Sequence, residues 1–252
     1  MGLFRDTWIV FSRAMRLSMR QPVWVVFGLM QPILYLTLFG PLLKSVAEQP
    51  GFGGDAWRVF VPGLLVQLGM FGSSFVGFGL IAEWRAGVIE RMRVTPASRA
   101  SLLLGRVARD VLVLLVQGTI LVGAALLMGL RAPWWALGVG VGTVALLGAC
   151  FASVSYAVAL KLKSEDAFAP LLNAVILPIA LLSGIFLPMT LAPLWLQRVS
   201  DLNPLKHIID GVRAMFRGEL VSSASLWGVA LTLLLVVVGI AVGTRVFKRE
   251  SA

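Results

Sequence analysis

The stretch VLVLLVQGTILVGAALLMGL, Val111 to Leu130, decides the architecture. It carries no charge, and its only polar side chains are Gln117 and Thr119. A helix of this length rises about 1.5 Å per residue, roughly the 30 Å of a bilayer's hydrocarbon core. Five further uncharged stretches of similar length flank it, at residues 23–43, 60–82, 134–160, 168–189 and 224–244. The whole chain of 252 residues is 58% hydrophobic and 13% charged, with a mean hydropathy of +0.90. A soluble core cannot hide that much apolar surface, so lipid is its natural solvent. The expectation is an all-α membrane protein with six transmembrane helices.

Six spans put both ends of the chain on one side of the membrane. Fifteen of the 22 Lys and Arg residues fall in the segments that share a side with the N-terminus, which the positive-inside rule places in the cytoplasm. The first 22 residues hold Arg5, Arg13, Arg16 and Arg20 and no apolar h-region, so no cleavable signal peptide is legible there. The first span is expected to serve as both targeting signal and retained helix. The net charge of +10 sits at the ends of apolar runs. That placement points to anionic lipid headgroups as partners, and not to nucleic acid. The lone Cys150 lies in an apolar run and reads as a small buried hydrophobe. The lone His207 has no second ligand for a metal.

Three segments outside the spans carry further information. At about 100° per residue, Phe4, Trp8, Phe11 and Met15 share one narrow arc, and Arg5, Arg13, Arg16 and Arg20 lie opposite. Residues 1–22 therefore form an N-terminal cytoplasmic interfacial helix, ending where Pro22 turns the chain into the membrane. Residues 23–252 form one six-span domain. Between spans two and three, Trp84, Val88 and Met92 recur every four residues, Glu90 and Arg93 can pair, and Thr95-Pro96 stops the helix. This short charged helix has two readings: it docks a soluble partner, or it lies on lipid headgroups. In the outer segment, residues 190–218, Asn203-Pro204 reads as an N-cap with proline at the first helical position. Leu205, Ile208, Ile209, Val212 and Phe216 make an apolar stripe, and Gly218 is a stop. Two short re-entrant outer helices between spans five and six are expected here.

No motif for catalysis is present. The chain lacks GxxxxGK[ST], HExxH and CxxC, so nothing in it cradles a nucleotide or binds zinc. No carboxylate lies in mid-span, which argues against a self-powered carrier. Gln31, Gln67, Asn173 and Ser183 sit within spans, and each can line a pathway or bond a neighbouring helix. Phe71 and Phe75 follow Gln67, and a mixed amide and aromatic wall suits an amphipathic organic substrate. Gly138-x-x-x-Gly142 and Gly239-x-x-x-Gly243 read as close helix packing.

The run Gly87-Val-Ile-Glu90-Arg91-Met-Arg93-Val-Thr95-Pro96-Ala-Ser-Arg99 resembles the cytoplasmic signature of ABC-2 type export permeases. The likeness is greatest to the daunorubicin-resistance and lipooligosaccharide-export branch. Asn203-Pro204 through Gly211-Val-Arg213 resembles that family's outer segment. With the six-span plan, the resemblance covers nearly the whole chain. It implies a bacterial plasma-membrane subunit that dimerises, as a homodimer or with a sibling permease, and binds two copies of an ABC ATPase. ATP and Mg would sit on the ATPase, with no cofactor on this chain. Residues Glu83 to Arg99 would be the coupling helix, with the N-terminal helix touching the ATPase as well. Gln31, Gln67, Phe71, Phe75, Asn173 and Ser183 would be pathway residues, and Asn203, Pro204 and Arg213 would belong to the helices closing the exit. The implied activity is export of an amphipathic drug, lipid or glycolipid by alternating access. The contrasting reading is a stand-alone channel or membrane scaffold without an ATPase.

Overall fold

The computed structural model describes residues 2–20, 23–47, 55–89, 98–186 and 188–250. Among the described residues all regular structure is helical. The order is α1 (Leu3–Arg20), α2 (Val23–Ala47), α3 (Ala56–Ser74), α4 (Gly77–Arg85), α5 (Arg99–Leu127), α6 (Trp134–Leu162), α7 (Glu165–Leu182), a 3-10 turn (Met189–Leu191), α8 (Leu194–Asp201), α9 (Pro204–Phe216) and α10 (Ser223–Glu250). Six helical stretches are long and apolar enough to span a bilayer, with α3 and α4 together making one of them.

The central helix is α6, packed against α3, α5 and α10. Small residues allow this. A Cβ on Gly239 would lie 2.8 Å from Cys150 Sγ and 3.0 Å from Cys150 Cα, and one on Gly243 would lie 2.9 Å from the Ser153 carbonyl. The expected packing role of that glycine pair therefore holds. Gly138 and Gly142 behave differently: a Cβ on either meets nothing within 4 Å. Their face of α6 has no close neighbour among the described residues, so small-residue spacing alone did not identify a contact.

Helices α2 and α7 lie at the margin. Val26, Phe27, Leu34 and Leu38 of α2 are exposed, as are Leu171, Val175, Leu177 and Leu181 of α7. In lipid such faces carry no penalty.

Two boundaries differ from the sequence expectation. The third span starts at Arg99, well before residue 111, with Ser98 as N-cap accepting from Ser101 N–H at 3.2 Å. The sequence reading stopped at charged residues that the fold neutralises. The second span is interrupted at Phe75-Val76. Ser155 bridges the break from α6, its hydroxyl donating to the Ser74 carbonyl at 2.6 Å and accepting from Gly77 N–H at 3.0 Å. A buried backbone break needs such a partner, because no water reaches it.

Helix α1 resolves three faces. Thr7 and Val10 lie on α5, where a Cβ on Gly105 would fall within 3 Å of both. Phe4 and Trp8 are exposed on a second face, with the Trp8 and Phe11 rings 5.3 Å apart. Arg13, Arg16 and Arg20 are exposed on a third.

Candidate functional site

The segment between α4 and α5 is framed by ion pairs on one side and a buried carboxylate on the other. Its described residues are 86–89 and Ser98, while Glu90, Arg91, Arg93, Thr95 and Pro96 lie outside the described residues. Glu83, in the last turn of α4, pairs with Arg106 of α5. Arg85 pairs with Glu165 at the start of α7, at 3.2 Å. Between them Trp84 lies under Lys163, whose Nζ is 5.5 Å from the ring centroid. At the far end of the segment, Ser98 N–H points at Asp6 of α1, 3.4 Å away, and Asp6 is buried.

One turn beyond Arg106 is a second group. Tyr156 of α6 donates its hydroxyl to Asp110 at 2.6 Å, and Arg109 lies 3.1 Å from the same carboxylate. Arg106, Asp110 and Tyr156 are all buried. Ionised groups in a low-dielectric setting are stable only when paired and hydrogen-bonded, and removing one partner strands the other. The two groups thus form a polar collar linking α4, α5, α6 and α7 at the end of the bundle where α1 packs.

The chain folds this way for local reasons. Gly87 takes φ +68°, a left-handed conformation natural to glycine, and its N–H bonds back to the Trp84 carbonyl. This ends α4 at Arg85. Gly87 thus interrupts the expected stripe between Trp84, which belongs to the spanning helix, and Val88, and Met92 lies outside the described residues. Arg99 then opens α5.

The opposite end is organised around Arg213 of α9. It is 4% exposed and donates to the carbonyls of Val59 at 2.9 Å and Gly184 at 2.7 Å, with Asp210 at 3.6 Å. Asn203 caps α9 by accepting from Leu205 N–H at 3.0 Å and donates to the Ile179 carbonyl at 2.7 Å. Pro204 occupies the first helical position, as its neighbours in the sequence required. Ser200 donates to the Leu182 carbonyl at 2.6 Å. Side chains from α8 and α9 thereby satisfy carbonyls left free where α7 ends. Gly218, at φ +99°, ends α9: its N–H bonds to Met215 and that of Glu219 to Ala214.

The residues expected along a pathway do not converge within one chain. Gln31 is exposed on α2 and reaches only Tyr35, at 3.2 Å. Asn173 is exposed on α7, bonded to the Ala169 carbonyl of its own helix at 3.1 Å. Gln67 is buried in α3, and its Oε1 has no hydrogen-bond partner among the described residues. Phe71 and Phe75 are half-buried, with Phe75 stacked on Phe78. Ser183 is buried and donates to the Ala180 carbonyl at 2.6 Å. Among the described residues no three His, Cys, Asp or Glu side chains gather to hold a metal.

Sequence reasoning missed Arg106, Arg109, Asp110, Tyr156, Arg85, Glu165 and Asp6 as site residues. The available signal was the spacing Arg106-x-x-Arg109-Asp110 directly before an apolar run, opposite Glu83.

A family model described as ABC-2 type transporter matches residues 5–216. The chain is 27% identical to the daunorubicin resistance ABC transporter permease protein DrrB1 of Streptomyces coeruleorubidus, over 95% of this chain and 85% of the relative. It is 25% identical to the putative transport permease ycf38 of Cyanophora paradoxa, over 97% and 88%. It is 24% identical to nodulation protein J of Rhizobium leguminosarum bv. viciae, over 99% and 94%.

Proposed function

Because the chain belongs to the ABC-2 type transporter family, as a multi-pass permease subunit that is not itself an enzyme, we propose that it moves an amphipathic drug, lipid or glycolipid out of the cytoplasm or inner leaflet. It acts as a dimer of permease chains in a bacterial plasma membrane, both termini cytoplasmic, with two copies of a separate ATPase. ATP and Mg bound on that partner supply the energy.

The observation that carries this reading is the polar collar. The coupling segment hangs between Glu83 and Ser98, both of which are tied to the bundle through charged partners. A push on the segment reaches α4 through Glu83 and α5 through Ser98. Arg106 joins those two helices, and the Asp110–Tyr156 bond passes the motion to α6. Displacement of the segment therefore moves the spans as linked rods, which alternating access requires.

The same reading gives the marginal helices a use. Gln31 and Asn173 present amides on otherwise apolar exposed faces of α2 and α7. Polar groups at such depth are expected to meet a protein partner or a water-filled path. A pathway between two protomers, walled by α2, α3 and α7, supplies both. Arg213, Asn203 and Pro204 then hold the outer helices over its exit.

The test is a pull-down of the tagged chain from native membranes in mild detergent, with partners quantified. The expected result is an ATPase equimolar with the permease, lost when residues 83–99 are replaced. Glu90→Ala and Arg93→Ala should weaken association while leaving the spans folded. A folded, dimeric permease without ATPase in several detergents would refute the proposal.

A further inference from the structure

At the end of the bundle opposite α1, helices α3, α5 and α6 terminate together. Asp55 caps α3, α5 ends at Leu127, and α6 starts after Pro133. The connection from Met128 to Pro133 is fixed. Gly129 takes φ +108°, its N–H bonds to the Leu126 carbonyl, and the Leu130 N–H bonds to Ala125 at 2.9 Å. Leu130 is thereby driven into the core. Arg58 of α3 locks the connection from the side, its Nε donating to the Arg131 carbonyl at 2.6 Å. Its contact with Asp55, at 3.5 Å, uses Nε as well.

Beside this junction is a cavity of about 450 Å³, lined by Arg58, Arg131, Leu126, Leu130, Trp134 and Leu137. Among the described residues, nothing engages the two amino groups of Arg58 or the guanidinium of Arg131. Two arginines therefore line a pocket whose remaining walls are apolar, and the Asp55 carboxylate lies beside Arg58. The pocket lies where three spans leave the membrane. Trp134 at its rim is 83% exposed, a position that tryptophan favours at the lipid headgroup level.

We infer that this cavity binds the phosphate of an anionic phospholipid, held by Arg58 and Arg131, with the first part of an acyl chain against Leu126 and Leu137. Guanidinium donates paired hydrogen bonds to phosphate oxygens, and it does so most strongly where water is displaced. A zwitterionic lipid shares the phosphate, but its ammonium group is repelled by the second arginine. Because the loop and Arg58 are fixed before binding, only Arg131 has to be ordered by the ligand.

The test uses the full chain in mild detergent, titrated with dioleoyl phosphatidylglycerol, dioleoyl phosphatidylcholine and inorganic phosphate, and read by native mass spectrometry. Arg131→Gln is the clean variant, because Arg58 holds the main-chain carbonyl of residue 131 and not its side chain. Phosphatidylglycerol should bind one site in preference to phosphatidylcholine and weaken about tenfold in Arg131→Gln, as expected for loss of one charge-assisted phosphate contact. Arg131→Lys should recover part of the affinity. Arg198→Gln, on the exposed α8, should change nothing. Equal retention of both lipids, or unchanged binding in an Arg131→Gln chain with wild-type thermal unfolding, overturns the site. Saturation by inorganic phosphate alone, with the same dependence on Arg131, overturns the lipid as its ligand.

Discussion

Replacing Arg213 by methionine isolates what a buried cation does at the end of the bundle opposite α1. The side chain is nearly inaccessible and supplies hydrogen bonds at 2.9 Å to Val59 and 2.7 Å to Gly184, joining α9 to α3 and to the end of α7. Bonds from a charged donor contribute roughly 1.5–3 kcal/mol each. Methionine fills similar volume and removes the desolvation cost of the charge, which offsets part of that loss. The Gly184 carbonyl lies beyond the last helical turn of α7 and loses its side-chain donor outright. A net destabilisation of about 2–4 kcal/mol follows, and for a chain of this size about 1 kcal/mol moves Tm by roughly 2–4 °C. The expected fall in apparent Tm is therefore roughly 5–15 °C, read by intrinsic tryptophan fluorescence of the detergent-purified chain at a fixed heating rate. Arg213→Lys keeps the charge but lacks the fork that reaches two carbonyls, and should fall between. An Arg213→Met chain within 2 °C of wild type (on the order of 1 kcal/mol or less) would show that the Arg213 hydrogen bonds are not what holds α9 to the bundle.

Other perturbations follow from the same geometry. Gly239→Val forces side-chain atoms into Cys150, already 2.8–3.0 Å from the position of a Cβ, and should cost about 1–3 kcal/mol, visible as a lowered Tm and reduced yield. Glu83→Gln removes the Glu83 carboxylate from its pair with the buried Arg106. Under the proposed coupling role it should reduce stimulation of ATP hydrolysis by substrate while leaving ATPase association intact, and unchanged stimulation would exclude Glu83 from transmission. Gln67→Leu removes a buried amide whose Oε1 has no partner and should raise stability by up to about 1–2 kcal/mol. If Gln67 lines the pathway, export falls in the same variant, whereas unaltered export assigns it to packing.

The all-helical plan with six candidate spans was legible in the sequence because it depends on additive, local properties. An uncharged run long enough to cross hydrocarbon is forced to be a helix, since lipid offers the backbone no other partner. Asn203-Pro204 and Gly218 set the limits of α9 by backbone constraints that operate within a few residues.

Tertiary structure alone decided which polar residues are stabilised by one another. Arg106 and Asp110 marked the edge of a span when judged singly, yet Glu83 pairs with Arg106 and Tyr156 hydrogen-bonds Asp110, both from positions distant in sequence, and α5 begins at Arg99. Ser155 gave no signal of its own, although it bridges the break between α3 and α4. Of two identical glycine spacings, only at Gly239 and Gly243 would a Cβ meet a neighbour within 4 Å among the described residues, because helix rotation is set by the whole bundle. Hydropathy sums along the chain, whereas charge compensation depends on distance in space, and only the fold fixes that distance.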